Sequence, residues 1–303
     1  MNYVHTSIMP NELLTHLVPQ SSDPIMVDAT CGEGGHTHLF LSTYPNLKVI
    51  GVDRDREIQE KARVRMEEFG PRFKPVNMWF DVFFKEAEDS SFDLILFDLG
   101  ISMFHFNESQ RGFSLRKGEP LDMRLDSEDA ISAFDVVNRY DEKKLANVIY
   151  AYGEERYSRR IARAIVQHRK TKTIATTDDL ANIIYKSVPP AYRYQKIHPA
   201  TRTFQAIRIE VNHELDRIEP ALTEALRTLK VGGRLAVITF HSLEDRPVKW
   251  LFKNLAQEDR PMLNVLTKKP LVPGEEEIAR NPASRSSKLR VVEKIREEER
   301  HGA

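Results

Sequence analysis

The sequence predicts an α/β fold, a doubly wound parallel sheet interrupted by a helical insertion. Three observations predict it. Short apolar runs at Ile25–Ala29, Val49–Asp53 and Phe92–Asp98 have the length and unbroken apolar character of buried parallel strands. Helical segments lie between the early runs, and strand alternating with helix builds a sheet covered on both faces. The alternation then stops, and the next run of this kind, Arg234–Phe240, follows a long stretch of helical pattern. A crossover needs only about a dozen residues, so a further body of chain is inserted there.

The elements follow in order. Ile25–Ala29 leads into a glycine-rich turn and a helix over His36–Ser42. Asp55–Phe69 is charged but keeps Ile58, Ala62 and Met66 on one stripe, and Asp55 opens that helix. Phe73–Phe80 is a weaker strand candidate because Pro75 interrupts it. In the insertion, Glu154–His168 repeats Tyr157, Ile161 and Ile165 at four-residue steps, and Thr177 is placed to cap a helix over Asp178–Lys186. A stripe of Phe204, Ile207, Val211, Leu215 and Ile218 continues into Leu222, Leu226 and Leu229, with Pro220 restarting the helix. Gly232-Gly233 supplies the turn into the last core strand, and Glu293–Arg300 reads as a solvated charged end. The expected domains are a discontinuous core, residues 1–107 and 216–303, and an insertion over 108–215.

Composition limits the function. Lys+Arg and Asp+Glu both number 45, so the formal net charge is zero and a broadly cationic coat protein is excluded. A single cysteine, Cys31, rules out an internal disulfide and a cysteine-rich zinc site. No apolar run reaches the roughly 18 residues of a membrane span, and the N-terminus lacks a secretory layout, which points to the cytoplasm. The neutrality conceals an asymmetry. Between Tyr150 and Glu210 stand twelve basic and five acidic residues, an excess that attracts a polyanion to one region.

The turn Asp28-Ala-Thr-Cys-Gly-Glu-Gly-Gly-His36 joins a strand to a helix. Gly32, Gly34 and Gly35 let the backbone approach a ligand closely. Asp53, at the end of the next strand, is placed to accept hydrogen bonds from ribose hydroxyls. This is a Rossmann-like arrangement, and two cofactor classes share it. A dinucleotide site calls for a third glycine where Thr37 stands, whereas S-adenosylmethionine has no pyrophosphate to accommodate and suits an acid at Asp28. Asp98 ends the fourth run, on the side where open α/β sheets bind ligands. Phe104, His105 and Phe106 follow, as rings suited to stacking on adenine or a target base or to packing under the insertion, and Phe80 is a further candidate neighbour of adenine.

The last apolar run leads into His241-Ser242-Leu-Glu-Asp-Arg246. A Ser242/His241/Asp245 hydrolase does not fit, because adjacent Ser and His diverge and no nucleophile elbow is present. No helical pair of histidines supports a metal site through His36, His38 or His241, so none is expected.

Several stretches resemble one family. They are His5-Thr-Ser-Ile-Met, the glycine turn Asp28–His36, Asp98-Leu-Gly-Ile-Ser102, and Gln110-Arg-Gly-Phe-Ser-Leu-Arg-Lys-Gly-Glu-Pro-Leu-Asp-Met-Arg124. Further on come Gly153-Glu-Glu-Arg156, His198-Pro-Ala-Thr-Arg-Thr-Phe-Gln-Ala-Ile-Arg208, Phe240–Arg246 and Asn281-Pro-Ala-Ser-Arg-Ser-Ser-Lys-Leu-Arg290. Together they span nearly the whole chain, and the chain resembles the bacterial RsmH (MraW) family of 16S rRNA cytosine-N4 methyltransferases. The resemblance implies a Rossmann-like S-adenosylmethionine-dependent methyltransferase sheet with an inserted helical domain. It implies methylation of N4 of a cytidine, C1402, in the decoding region of 16S rRNA in the small ribosomal subunit. It assigns cofactor contacts to Gly34, Gly35, His36, Asp53, Phe80, Asp98 and His105. His105 stands where many relatives carry an amide, and Glu33 where many carry a basic residue.

Methylating a cytosine amine requires a group that polarises it or takes its proton. Asp98 is the first candidate for that role or for holding the methionine end of the cofactor, and His241 is the second. The target base must be single-stranded or turned out. Arg156, Arg159 and Arg163 on one helical segment are candidate RNA contacts, and Arg111, Arg116 and Arg124 lie nearer the expected pocket. The competing readings are a nicotinamide oxidoreductase, a non-catalytic assembly factor of the small subunit that retains a cofactor pocket, and a methyltransferase acting on another nucleic-acid amine. A homodimer is compatible with the sequence.

Overall fold

The computed structural model describes residues 7–115 and 118–297. Its chain divides into two compact units, one formed by Met1–Ser102 and Leu215–Ala303, the other by Met103–Glu214. The insertion therefore begins a few residues earlier than the sequence pattern suggests.

The first unit is built on seven strands: β1 (Ile25–Asp28), β2 (Lys48–Asp53), β3 (Phe73–Asn77), β4 (Phe92–Asp98), β5 (Leu229–Thr239), β6 (Leu263–Val265) and β7 (Lys288–Lys294). Their order across the sheet is β3-β2-β1-β4-β5-β7-β6. The strands β1 to β5 are parallel, and β7 joins β5 and β6 antiparallel. From β1 the connections run outward one way to β2 and β3, and from β4 the other way to β5. The β1/β4 boundary is thus the switch point, where a crevice opens beyond the strand ends.

Strand alternation sends side chains into two cores. On β4, Ile95 and Phe97 join Val27, Phe84, Leu222 and Phe252 on one face. Leu94 and Leu96 join Met26, Leu13, Phe40 and Met66 on the other. Both faces are apolar because both are covered, which explains the unbroken runs in the sequence.

Several expectations need correction. The run Phe73–Phe80 divides: β3 ends at Asn77, and Phe80 begins the helix Phe80–Glu86. Pro75 is accepted because β3 is an edge strand, paired only with β2. Gly232-Gly233 lies within β5 rather than before it, next to a register shift in the β4–β5 pairing at Phe92/Leu94. The core also does not end at β5. Glu293 and Lys294 belong to β7, and Lys294 is 1% exposed, so this part of the expected solvated tail is interior. Short antiparallel strands with mixed polarity give no long apolar run, so β6 and β7 leave no clear mark in the sequence.

The second unit is helical: Met103–Asn107, Ala133–Arg139, Glu142–Gly153, Ser158–Arg169, Thr177–Ser187, Pro190–Arg193 and Thr201–Asn212. Ser132 and Asp135 form a reciprocal cap, and Asp141 caps the next helix. Thr176, not Thr177, caps Thr177–Ser187: its hydroxyl accepts from the Asp179 backbone N–H while Thr177 is buried. Glu154 does not start a helix. It ends one in a left-handed conformation, φ 48°. The stripe from Phe204 to Leu229 is two helices, Thr201–Asn212 and Ile218–Thr228, with Pro220 in the first turn of the second, where a missing N–H costs little.

Candidate methyl-donor site

The glycine turn sits at the carboxyl end of β1, beside the switch point. Gly34 caps the helix Gly35–Thr43 with φ 76°, a left-handed conformation that a side chain strains. A Cβ at Gly34 would also stand 3.0 Å from Met66 Cε. Asp53, at the end of β2, holds the turn: its Oδ2 accepts the Gly32 N–H at 2.8 Å and its Oδ1 accepts the Asp55 N–H at 2.9 Å. Each carboxylate oxygen has a second lone pair that suits a hydroxyl donor. Asp55 then caps the following helix through Glu57 N–H.

Asp98 lies at the end of β4. Its backbone N–H donates to Thr30 Oγ1 at 2.7 Å, which ties β4 to the turn. Its Oδ1 accepts the Gly100 N–H, and its Oδ2 lies 3.6 Å from His36 Nδ1. The other ring nitrogen, His36 Nε2, is 3.0 Å from the Ile8 carbonyl, and a carbonyl only accepts, so Nε2 carries the hydrogen. His36 is buried, with Nδ1 facing the Asp98 carboxylate.

Asp28 is buried at the end of β1. Its Oδ2 accepts the Thr37 hydroxyl at 2.8 Å, and its Oδ1 has no partner among the described residues. Burial pushes its carboxyl above the usual range, the negative charge of Asp98 adds to this, and His36 and Thr37 act against it. Thr37 therefore serves the first strand rather than standing as a failed glycine.

Phe80 is half-buried, edge-on to Phe97 at 5.6 Å between centroids. His241 precedes the helix Ser242–Ala256, and its Nε2 lies 2.8 Å from Glu244 Oε1. Glu244 Oε2 in turn accepts the Phe240 N–H at 2.8 Å, so His241 is held by its own helix start. Among the described residues no cluster of three His, Cys, Asp or Glu side chains is placed to hold a metal ion. No described helix is long and apolar enough to cross a membrane.

Residues 2–295 match the model of the MraW methylase family. The chain belongs to that family. It is 51% identical to the ribosomal RNA small subunit methyltransferase H of Treponema denticola over 310 aligned positions, covering 97% of this chain and 98% of the relative. It is 46% identical to the protein of the same name from Sulfurihydrogenibium azorense, covering 96% and 99%. The crystal structure of an rRNA methylase from Streptococcus thermophilus aligns at a TM-score of 0.43 and 13% identity over 95% of this chain and 94% of that one.

As a MraW methylase the chain takes its methyl group from S-adenosylmethionine. The site fits that cofactor. Asp28, Asp53 and Asp98 end three neighbouring strands, and Asp28 keeps an orphaned buried acceptor oxygen. Acids so placed suit a ligand with a sulfonium and an ammonium group and repel a pyrophosphate.

In the helical unit, His105 lies on Met103–Asn107, 4% exposed, with its ring 5.1 Å from that of Phe113. Arg156, Arg159, Arg160 and Arg163 are exposed. Arg156 lies over the rings of Tyr157 and Tyr192, at 4.9 and 5.1 Å, and Arg163 is 3.4 Å from Glu142. Arg111 and Arg124 are more engaged. Arg111 Nη1 donates to the Arg124 and Leu125 carbonyls. Arg124 pairs with Asp122 and donates to the Ser127 and Asp129 carbonyls, so both arginines brace their own loop. Arg116 lies outside the described residues. Phe113, Met123 and Gln205, which line a pocket in this unit, carry no individual signal in the sequence. They fall within the long motifs of the family resemblance, and those motifs are the only pointer to them.

Proposed function

We propose that this chain transfers the methyl group of S-adenosylmethionine to the exocyclic N4 amine of one cytidine, C1402, in 16S rRNA of the small ribosomal subunit, in the cytoplasm. The observation that carries this reading is near full-length identity of 51% and 46% to relatives named for methylating small-subunit ribosomal RNA. The bound cofactor supplies an electrophilic methyl on a positively charged sulfur. Gly34 and Gly35 bring backbone close to it, Asp53 accepts from its ribose, and Phe80 flanks it. The cytosine amine is a weak nucleophile because its lone pair is delocalised into the ring. Asp98 polarises that amine and receives its proton as the new N–C bond forms and the bond from sulfur to the methyl breaks. His36 contacts the cofactor beside Asp98, and His241 is the second candidate proton acceptor. Arg156, Arg159 and Arg163 contact phosphates, while Arg111 and Arg124 shape the loop beside the base. The assay is direct: the protein is incubated with labelled cofactor and small subunits lacking the modification, and the label is mapped. Label at N4 of that cytidine is expected, and label elsewhere or none overturns the assignment.

A further inference from the structure

The helix Ser242–Ala256 starts just past the carboxyl end of β5, on the side of the sheet where the strand-end acids lie, and packs against β5, β6 and β7. Its apolar residues are taken up by that packing. Val248 and Phe252 are buried in the core, and Leu251 and Leu255 pack beside them. Its two acids are also turned inward. Glu244, 2% exposed, accepts the Phe240 N–H and faces His241. Asp245, 8% exposed, is held by Arg290.

The side left to solvent is basic. Arg246, Lys249, Trp250 and Lys253 are exposed at spacings of three and four residues, which places them on one face. No acid of this helix shares that face, and the next acids in the chain, Glu258 and Asp259, follow the helix end. Lys249 Nζ and Lys253 Nζ stand 5.4 and 4.9 Å from the centroid of the Trp250 ring. Neither ammonium has a carboxylate partner among the described residues. Trp250 itself is 48% exposed, although an indole carries a large apolar area that is stabilised by being covered.

We infer that this face of the first unit holds a single-stranded stretch of the RNA substrate beside the target nucleotide, with Trp250 stacked on a base and Lys249 and Lys253 on neighbouring phosphates. An exposed ring flanked by unneutralised cations is the combination that single-stranded nucleic acid calls for: the ring takes the face of any base, and the ammonium groups take backbone charge. The place agrees with this. The helix begins at the strand ends where Asp98 and His241 stand, and Trp250 lies about 12 Å along it from Ser242, at 1.5 Å per residue. A helix lying on a membrane needs a broad apolar face toward lipid, and the apolar face of this one is already in the core. An acidic peptide would neutralise the lysines without covering the indole. The inference rests on the proposed rRNA reaction and adds to it a contact outside the helical unit.

The test uses the full chain and small subunits lacking the methyl group. Trp250→Ala removes the ring, Trp250→Phe restores a smaller one, and Lys249→Gln with Lys253→Gln removes both charges. All three positions are exposed, and calorimetry of cofactor binding verifies that each variant is folded. Trp250→Ala is expected to raise KM for subunits about tenfold at unchanged kcat, the effect of one unstacked base, and Trp250→Phe to recover most of the loss. The double lysine variant is expected to reduce the slope of log affinity against log salt by about 1.4, two phosphates at about 0.7 each, which a purely structural role would not move. A direct arm reads the indole. Decauridylate should quench the fluorescence of the wild-type protein, and the Trp250→Phe protein, which keeps only Trp79, should lose most of that quench. Wild-type KM and salt slope in all the variants overturn the inference and leave the proposed reaction intact. Binding to phosphatidylserine vesicles that the variants lose, while their response to subunits is unchanged, also overturns it and gives the face to a membrane. Failure of the wild-type protein to methylate subunits is a separate outcome, which removes the proposed reaction and this inference with it.

Discussion

Arg290 on β7 grips Asp245 of the helix Ser242–Ala256 with two hydrogen bonds, Nε to Oδ1 at 2.7 Å and Nη2 to Oδ2 at 3.1 Å. Lys288 Nζ lies 3.5 Å from the same carboxylate. The pair joins the antiparallel end of the sheet to the helix that follows β5, and that helix start holds His241. Asp245 is thus bound up in architecture, and the Ser–His–Asp grouping in the sequence has no hydrolytic geometry.

Asp245→Asn should lower stability by about 3 kcal/mol near neutral pH, because it leaves a buried guanidinium without its counter-charge. Burial opposes ionisation of Asp245, but the hydrogen bonds and charge of Arg290 prevail and hold its carboxyl below the usual value of 3.8. A depressed folded-state pKa stabilises above the unfolded value, and that contribution disappears as pH falls through the folded one. Urea unfolding of both proteins should therefore show a constant gap above about pH 5 that narrows below about pH 4. A gap independent of pH would reject the ion pair as the cause.

Asp53 braces the glycine turn and is the proposed partner of the cofactor's ribose. Asp53→Ala should weaken S-adenosylmethionine binding by roughly tenfold to a hundredfold, the worth of one or two hydrogen bonds to a charged group. Asp53→Asn retains an acceptor and should lose less. Calorimetry distinguishes them, and equal affinity in all three proteins would remove Asp53 from the site.

Asp98→Asn separates binding from chemistry. Asparagine keeps an acceptor for the Gly100 N–H but is no base, so methyl transfer at saturating cofactor should fall by about two orders of magnitude or more. Methylation at full rate by a variant that binds cofactor normally would exclude Asp98 as the proton acceptor.

Arg159 is exposed on Ser158–Arg169, and Arg163 on the same helix faces Glu142. Replacing both with Ala should weaken rRNA binding and reduce the slope of log affinity against log salt by about 0.7 for each phosphate left without its arginine. Filter binding across a salt series measures this. An unaltered slope would place the RNA elsewhere.

Lys294 is buried, and its Nζ donates to the Leu229 carbonyl at 2.7 Å and the Arg227 carbonyl at 3.3 Å. Its charge is met by Glu297 Oε2 at 2.7 Å. Lys294→Met should cost about 1–3 kcal/mol in thermal or urea unfolding, because the carbonyls lose their donor. Cofactor affinity should be untouched.

Four of the five parallel strands, the glycine turn and the acids at the strand ends are legible in the sequence because each depends on local pattern. A strand covered on both faces must be continuously apolar, and a turn under a ligand needs glycine wherever φ is positive. The helical insertion is legible from the interval between β4 and β5. The sequence by itself therefore determined the parallel core, the place of the cofactor turn and the existence of the second unit. Tertiary structure alone decided the rest. Lys294 looks like a solvent residue until Leu229 and Arg227 are brought to it at the start of the neighbouring strand β5. Asp245 has no assigned role until Arg290 arrives, and Arg124 looks available to RNA until its loop closes on it. The pocket between Gln110–Leu125 and Thr201–Asn212 joins segments about ninety residues apart. A polar side chain has no fixed role in sequence, because its role is set by the partner that satisfies it, and that partner is chosen by the fold.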